Sequence, residues 1–487
     1  MLGEIMSNAS VRRLATNPLL LTILTLIHDN LGRLPNRRAK LYDTCIRTLV
    51  ESWRQAQTDM PSHLLRELTE EVVLRILAPL AYWLHEERPG GTASYAEWQT
   101  RLCQIIAEDI TEDSAEALRI AQRFLHHARY EAGLLSERGL GQYGFFHLTF
   151  EEALAARQIA RQSEGKRRQM VREHWEDPRW HEVILLAVGH LGLVMEHSDD
   201  ASQMLNDLLW MEPTTAENQG RQVVLAGRAL ADIGELNVPR RARETVKRDL
   251  RFTMQDRDPQ SEKPQQPPVI APAVRYAAAE VLDELGWLPD NLNEWVLCEK
   301  CADGEGRKRG DLLVMRYPVT NVQFAYFVES DGYTNPIYWG GKESVAWQWR
   351  MEAHPEFRGK DPVIQPRLWR DARFGFERKG YPVVGVSWYE ATAFAAWLTV
   401  LLGRVRQNEG RVTNEERVLV MALVQAGATS IRLSTETEWE RFAGGSKPKD
   451  RFACDGEGNV TKEQSEILAR ANIDDAQLKG TSPVAMY

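Results

Sequence analysis

Cysteine is scarce and scattered. Cys45, Cys103, Cys298, Cys301 and Cys454 are spread over 487 residues, which excludes the dense disulfide framework of a small secreted domain and points to a reducing, cytoplasmic compartment. Positive charge is also short: 60 Lys and Arg stand against 69 Asp and Glu, a net charge of -9. No global field therefore draws the chain to nucleic acid or to an anionic membrane. Long apolar runs are missing. The nearest, Pro18 to Ile27 behind Arg12 and Arg13, covers ten residues before Asp29, where a spanning helix needs roughly 18 or more, and no small-residue cleavage site follows. It reads as a buried helix, with Asn17 as cap and Pro18 in the first turn. Finally, no Gly-rich loop ending in Gly-Lys-Ser or Gly-Lys-Thr occurs, so the phosphate cradle of a P-loop nucleotidase is absent from this sequence.

What is present is an ordinary globular composition, 43% hydrophobic and 26% charged, over a length that predicts roughly three domains. The first half is organised around Gly133 to Ala160. Leu134 to Ser136 and Tyr143 to His147 flank a turn with Gly139 and Gly141, a hairpin pattern. From Phe146 the period becomes helical, through Phe150, Leu154 and Ile159, with Glu151, Glu152 and Arg157 expected on the wet side. A hairpin running into a helix, behind several helices, is a winged-helix signature. The preceding helices are expected over His63 to His85, Ala96 to Glu108 and Glu112 to Tyr130, and on a stripe of Leu41, Cys45, Ile46, Leu49 and Trp53. The basic cluster Arg33 to Lys40 reads as a solvated helix end. His126 and His127 have no further ligand at metal spacing.

Beyond Ala160 three apolar helical faces end on Gly192, Gly234 and Gly286, each read as a C-cap. Their spacing of 42 and 52 residues lies near that of HEAT-like helical pairs. The second interval holds Gln255 to Ala273, with Pro259, Pro264, Pro267, Pro268 and Pro272, expected as an exposed strap. A stripe of Val274, Ala278, Val281, Leu282 and Leu285 follows. From Trp287 to the end, where nine of the fifteen tryptophans fall, helical repetition stops. Strands are expected at Leu312 to Arg316, Pro382 to Trp388 and Ser430 to Leu433, and helices at Asn321 to Val328, Tyr389 to Leu398 and Glu436 to Ala443.

Phe145-Phe146-His147, then Phe150-Glu151-Glu152 and small residues, resembles the end of the winged helix in NACHT-type signal-transduction NTPases, with Glu151 where Gln is usual. Asn17-Pro18-Leu19-Leu20-Leu21 and Gly32 to Tyr42 resemble two further segments of that family. The resemblance implies that His147 touches the β-phosphate and Pro18 the adenine of ATP or ADP, if the upstream NTPase core is present. It places this chain after that core, so hydrolysis by this polypeptide alone is not expected. Read from spacing alone, His147 is a histidine at a strand-to-helix junction with one backbone partner, and Pro18 a helix start.

Tyr317 to Val328, Tyr381 to Ala391, Arg432 to Glu440, Ala471 to Ile473 and Gly480 to Val484 resemble, in order, segments of the formylglycine-generating enzyme or sulfatase-modifying factor family, whose fold relates to C-type lectins. Ser434 stands where proline is usual, and Cys298 to Arg309 replaces the Gly-Gly-x-Phe-x-Met-Gly strand. The oxidising members use two cysteines near the family C-terminus to hold copper, and the related iron enzymes use several histidines. Cys454 matches neither cysteine, and His354 is the domain's one histidine, so neither metal is expected. Cys298-x-x-Cys301 is a single pair without a second, and zinc is not expected there. The resemblance also implies a structural calcium site from Asn472, the Ile473 and Leu478 carbonyls, and Asp475 or Asp474. An ordinary Asx turn accounts for the same residues equally well.

The expected fold is multidomain: all-α with a winged helix and helical, HEAT-like repeats, followed by an α+β formylglycine-generating-enzyme-like, C-type-lectin-like domain. The expected boundaries are 1-162, 163-253, 254-273 for the Pro-rich linker, 274-288 for a leading helix, and 289-487. The expected role is a non-catalytic sensor part of a NACHT-type NTPase. Its partners would be a protein or small ligand at the C-terminal domain and the upstream core, with an oligomer left open for the intact protein, and neither nucleic acid nor membrane. Two other readings use the same fold, a formylglycine-generating oxidoreductase in its full-length form and a retroelement-diversified ligand-display protein.

Overall fold

The computed structural model describes residues 18–56, 69–130, 135–215, 218–258, 260–263, 265, 268–298, 312–352, 363–408, 412–444, 453–454, 460–461, 467, 471–472, 478 and 480–486. It divides into two compact units, Met1–Asp249 and Leu250–Tyr487.

The first unit opens with α1 (Pro18–Leu31) and α2 (Arg38–Ala56). Leu24 and Ile27 of the apolar run are buried, as are Leu41, Cys45, Ile46 and Val50 of the next stripe. Asn17 and the side chains of Pro18 and Trp53 lie outside the described residues. Helix α3 (Glu70–Glu87), capped by Thr69, is buried on nearly every side, as a central helix must be; residues 63–68 of the expected helix lie outside the description. Then come β1 (Ala93–Ser94), α4 (Tyr95–Asp109), α5 (Ser114–Tyr130), β2 (Leu135–Gly139), β3 (Gln142–Phe145) and α6 (Leu148–Ala160). The strands form one antiparallel sheet in the order β1-β3-β2, with Ala93 opposite Tyr143 and Leu135 opposite Phe145. Gly141, at φ +70°, supplies the left-handed residue that the tight turn between β2 and β3 requires. Strand β1 is too short to show alternation in sequence. It is fixed instead by the Ser94–Glu97 capping box that starts α4, and by Trp98, whose indole donates to the Tyr143 carbonyl at 3.0 Å.

Three expectations for this unit need correction. Phe146 is exposed rather than part of the apolar stripe, because the strand ends at Phe145 and α6 starts only at Leu148. Glu151 and Arg157 are buried rather than wet, because each meets an opposite partner from another helix. The basic cluster is a solvated helix end only in part, since Arg33, Arg37 and Lys40 are exposed and Arg38 is half-buried. Arg38 pairs with Glu182 at 2.6 Å and with Asp232, while Arg37 donates to the Ala231 carbonyl at 2.8 Å.

Those partners belong to the helices that follow: α7 (Glu164–His174), α8 (Pro178–Gly189), a π-helical turn over His190–Val194, α9 (Ser198–Leu209), α10 (Arg221–Ile233) and α11 (Arg240–Gln255). Gly234, at φ +83°, ends α10 as its sequence signal predicts. Gly192 does not end a helix. It lies inside the π turn, where an added Cβ would come within 2.1 Å of Ile233 Cδ1, so close packing is what requires glycine there.

The second unit contains α12 (Pro272–Glu284), β4 (Trp295–Cys298), β5 (Leu312–Met315), α13 (Asn321–Glu329), a 3-10 turn at Pro336–Trp339, α14 (Val345–Met351), α15 (Trp388–Arg406), α16 (Asn414–Gln425), α17 (Glu436–Gly444), β6 (Ala453–Cys454) and β7 (Val460–Thr461). Strand β4 pairs antiparallel with β5. The expected strands at Pro382 to Trp388 and Ser430 to Leu433 are extended segments without ladders. Pro382 makes a lone bridge to Thr320, the Val383 amide donates to the Val319 carbonyl at 2.9 Å, and the Ile431 amide donates to the Thr399 hydroxyl at 2.8 Å, so isolated bonds outside a ladder satisfy these groups. The core is aromatic: Phe324, Phe327, Phe394, Trp397, Tyr333 and Trp339 are buried together, with Phe324 and Phe394 stacked at 4.9 Å.

Helix α12 is held within the same unit by its own buried stripe and by polar ties. Val274, Ala278, Val281 and Leu282 are buried, Asp283 accepts from the Gly380 amide at 3.1 Å, and buried Arg275 donates to the Met254 and Met486 carbonyls at 2.8 and 2.6 Å. The Pro-rich segment, expected as an exposed strap, is pinned at its ends. Asp256 is buried and accepts from the amides of Val269 and Ile270 at 3.1 and 3.2 Å. Proline removes donors; of those left, the Val269 and Ile270 amides converge on Asp256 and the Gln260 and Ser261 amides on Asp258. Pro259, Pro264 and Pro267 lie outside the described residues. No described helix is long and apolar enough to cross a membrane.

Candidate functional site

His147 is the N-cap of α6, with extended backbone at φ -140°. Its Nδ1 accepts from the Thr149 amide at 3.2 Å and from the Thr149 hydroxyl at 2.8 Å, which leaves the proton on Nε2 as a donor. Burial, and then the charge of Arg138, lower its pKa, so the ring is neutral near pH 7. Arg138 itself donates to the Phe145 and Phe146 carbonyls at 2.6 and 2.9 Å. A guanidinium and a neutral N–H donor thus meet at the strand-to-helix junction, a pair suited to an anionic oxygen. Sequence reading singles out His147 but not Arg138, whose place follows only from the bulged pairing of β2 with β3.

Behind that junction α6 presents its polar side chains inward. Glu151 faces His85 at 2.9 Å, and the other His85 nitrogen lies 3.2 Å from the Arg179 carbonyl. The Trp180 ring stacks on His174 at 3.9 Å and meets His85 edge-on at 4.7 Å. Arg157 bonds Asp43 at 3.1 Å and Glu71 at 3.0 Å. Burial, then the carboxylate of Glu182, push Glu152 up to about 7. Burial takes His190 down to about 4. Helix α6 is therefore bonded to α2 through Arg157 and Asp43, and to α3 through Arg157 and Glu71 and through Glu151 and His85.

In the second unit Tyr333 donates to the buried Glu390 at 2.6 Å, and the Ser387 amide donates to the other carboxylate oxygen at 2.8 Å. Burial, and then the Glu390 charge, hold the Tyr333 phenol well above its ordinary range. Arg350 is buried with its guanidinium 4.6 Å from the Trp347 ring centre. Above this polar floor the rings run outward, from Trp349 to Tyr389 at 5.3 Å and from Tyr389 to Trp388 at 5.4 Å. Trp388 is 68% exposed, an amphipathic ring held at the first turn of a rigid helix.

The Asn472 amide nitrogen donates to the Gly480 carbonyl at 2.8 Å. Leu478 is described, whereas Ile473, Asp474 and Asp475 lie outside the description. Cys301, of the pair where zinc is not expected, lies outside it too. Among the described residues no three His, Cys, Asp or Glu side chains gather as a metal site.

The architecture is that of a multidomain chain, a winged helix with further helices followed by an α+β domain. Residues 38–159 match the family described as the winged helix-turn-helix domain C-terminal to NACHT, and residues 300–487 match the sulfatase-modifying factor enzyme 1-like domain. The chain joins the C-terminal part of a NACHT module to a formylglycine-generating-enzyme-like domain. It is similar to the formylglycine-generating enzyme of Thermomonospora curvata, 30% identical over 169 residues, 31% of this chain and 44% of the relative. It is also similar to the hercynine oxygenases of Mycobacterium tuberculosis, 29% identical over 134 residues covering 26% of this chain and 22% of the relative, and of Mycolicibacterium smegmatis, 29% over 133 residues covering 26% and 21%. The chain spans less than half the length of each of these relatives. No solved structure matches it.

Proposed function

We propose that this chain is the coupling and recognition part of a cytoplasmic NACHT-type NTPase, with a lectin-like C-terminal domain that binds a protein or small ligand rather than oxidising one. The observation that carries the reading is the joining, in one polypeptide, of a NACHT-associated winged helix to the sulfatase-modifying-factor domain. His147 Nε2 and the Arg138 guanidinium supply donors for a nucleotide phosphate, with Pro18 against the adenine, once an NTPase core is present. The inward charges of α6 give that contact a path to α2 and α3. In the second unit the rings around Trp388 supply a rigid contact surface, and calcium at Asn472, Ile473, Asp475 and Leu478 would brace the adjoining loop.

Sequencing the DNA on either side of this frame tests the coupling. An adjoining upstream frame with the Gly-Lys-Ser or Gly-Lys-Thr loop supports it, and its absence overturns it. The likeness to the formylglycine-generating enzyme favours a second reading, oxidation of a substrate cysteine. Incubation with copper and a peptide carrying a sulfatase-type cysteine motif separates the two: an unchanged thiol mass supports recognition, and aldehyde formation supports the oxidoreductase.

A further inference from the structure

A cleft of about 900 Å³ lies within the second unit, between the end of α11, the Pro-rich segment and residues 482–486. Its size falls within the roughly 300–1,000 Å³ of small-molecule sites, which are largely preformed. Its walls are pinned. Buried Arg275 of α12 donates to the Met254 and Met486 carbonyls, the Gln255 side chain donates to the Ala485 carbonyl at 3.3 Å, and the Val484 amide donates to the Gly380 carbonyl at 2.9 Å. Pro268, Pro289, Pro318, Pro382 and Pro483 also line it. Each has a fixed φ and no N–H, so those stretches of wall are stiff and offer a ligand no backbone donor.

The donors come from side chains instead. Arg251 and Arg257 line the cleft, and among the described residues neither pairs with a carboxylate. Arg257 donates to the Glu262 carbonyl at 2.9 Å, and Arg251 has no hydrogen-bond or ion-pair partner there. Arg316, at the rim, is spent on Glu294. The buried acid of the wall, Asp256, gathers the Val269 and Ile270 amides. Asp290, the other lining acid, is exposed.

Two rings complete the wall, and the sequence places one of them. Gly286, at φ +70°, takes the left-handed position after α12. Its amide donates to the Asp283 carbonyl and the Trp287 amide to the Leu282 carbonyl, each at 2.9 Å. This paired ending is a Schellman motif, and it delivers Trp287 to the cleft. Tyr317 lines the cleft too, its hydroxyl donating to the Asn291 side-chain carbonyl at 3.0 Å.

We propose that this cleft binds a nucleoside monophosphate. Arg251 and Arg257 take the phosphate, since guanidiniums with no carboxylate of their own pair best with a phosphoryl group. Trp287 and Tyr317 take the base against their rings, and Asp290 accepts from the sugar hydroxyls. The proposal rests on the recognition reading of the second unit and gives its ligand a chemical class and a place apart from the rings around Trp388.

Isothermal titration of the intact chain with AMP, GMP, CMP and UMP tests it, beside the four nucleosides and inorganic phosphate, which each carry part of the ligand. At least one monophosphate should bind about tenfold or more tightly than phosphate and than its own nucleoside. Arg251→Gln should weaken that monophosphate about tenfold at an unchanged unfolding temperature, because Arg251 holds no partner in the fold. Trp287→Leu should weaken it about fivefold or more without moving phosphate binding, and Trp287→Phe, which keeps a ring, should recover most of the loss. No monophosphate binding overturns the proposal, as does phosphate binding as tightly as every monophosphate. Binding that survives Arg251→Gln but falls in His147→Ala belongs to the first unit and overturns it as well. Aldehyde formation in the copper incubation would overturn the recognition reading without altering this titration, so the two failures are told apart.

Discussion

The two units solve the problem of a buried polar group differently. In the first, buried side chains are tied by hydrogen bonds and ion pairs across helices distant in sequence: His85 to Glu151, Arg157 to Asp43 and Glu71, Arg38 to Glu182 and Asp232. In the second, the buried polar groups serve local caps around an aromatic core. Glu390 closes the capping box of α15, Gln323 that of α13, and Glu438 accepts from the Thr435 amide at the start of α17. Cross-helix pairs gain strength from geometry that must be assembled all at once, and losing one partner strands the other. Caps are complete within one turn. The first unit should therefore be more sensitive to single charge deletions and to pH, and the second more tolerant.

The sharpest way to break this comparison is His85→Ala. It leaves the Glu151 carboxylate buried without its donor, and should cost about 3–5 kcal/mol of first-unit stability, read as loss of the transition for that unit in chemical denaturation. In the second unit Tyr333→Phe removes the charge-assisted bond to Glu390 but leaves the Ser387 capping box in place. The expected cost is about 1.5–3 kcal/mol, confined to the second transition. Equal losses, or a larger one for Tyr333→Phe, would reverse the ranking.

This contrast explains which features were legible in sequence. Caps and stripes involve neighbours, so α2, α4, α12, α13 and α17 could be read within a few residues. Even α16, which was missed, carried a signal in the Thr413–Glu416 capping box. The partners of Glu151 and Arg157 could not be read, because they lie 66, 86 and 114 residues away and helical periodicity sees one helix at a time. Placing both on the wet side was the natural error. His147 was legible as a junction residue, while Arg138 depended on a β-bulge that no period records. The Trp388 patch was half legible: the tryptophans marked the domain, but which of them stay exposed is decided by packing.

One carboxylate in each unit, Glu152 and Glu438, titrates in the opposite sense to the other. Glu152 is raised from 4.5 to about 7, so the stability linked to it is present below pH 4.5 and lost as pH rises through about 7. Glu438 is held down to about 2, chiefly by its bidentate bond from Arg432, so its contribution is present above pH 4.5 and lost as pH falls towards 2. His190, lowered to about 4, also weakens the first unit, as pH falls from 6.5 through 4. Glu152→Gln should therefore stabilise the first unit by about 2 kcal/mol at pH 8 relative to pH 4, leaving the second transition unmoved. A variant whose pH profile parallels the parent's would show that Glu152 is not the group responsible.

The smallest effect concerns the Pro-rich segment, where the second unit departs from its own rule by using one buried carboxylate to hold a distant stretch. Asp256 sits at φ +51° and gathers the Val269 and Ile270 amides, while the Asp258 amide donates to the Lys263 carbonyl and the Glu262 amide to the Asp258 carbonyl at 2.9 and 2.8 Å. Lys263 precedes Pro264, so trypsin is a poor probe there. A glutamate-specific protease acting after Glu262, which is exposed, is a better one. With its ends pinned, the segment must open locally before it can be cut, and opening should cost more than in a free strap. Asp256→Ala removes both acceptors at once, whereas Asp256→Asn keeps one oxygen to accept. Cleavage after Glu262 should accelerate about fivefold in the first variant, for a loss of about 1 kcal/mol, and by less in the second. Rapid cleavage of the parent itself, unchanged in either variant, would return the segment to the exposed strap that its prolines alone suggest.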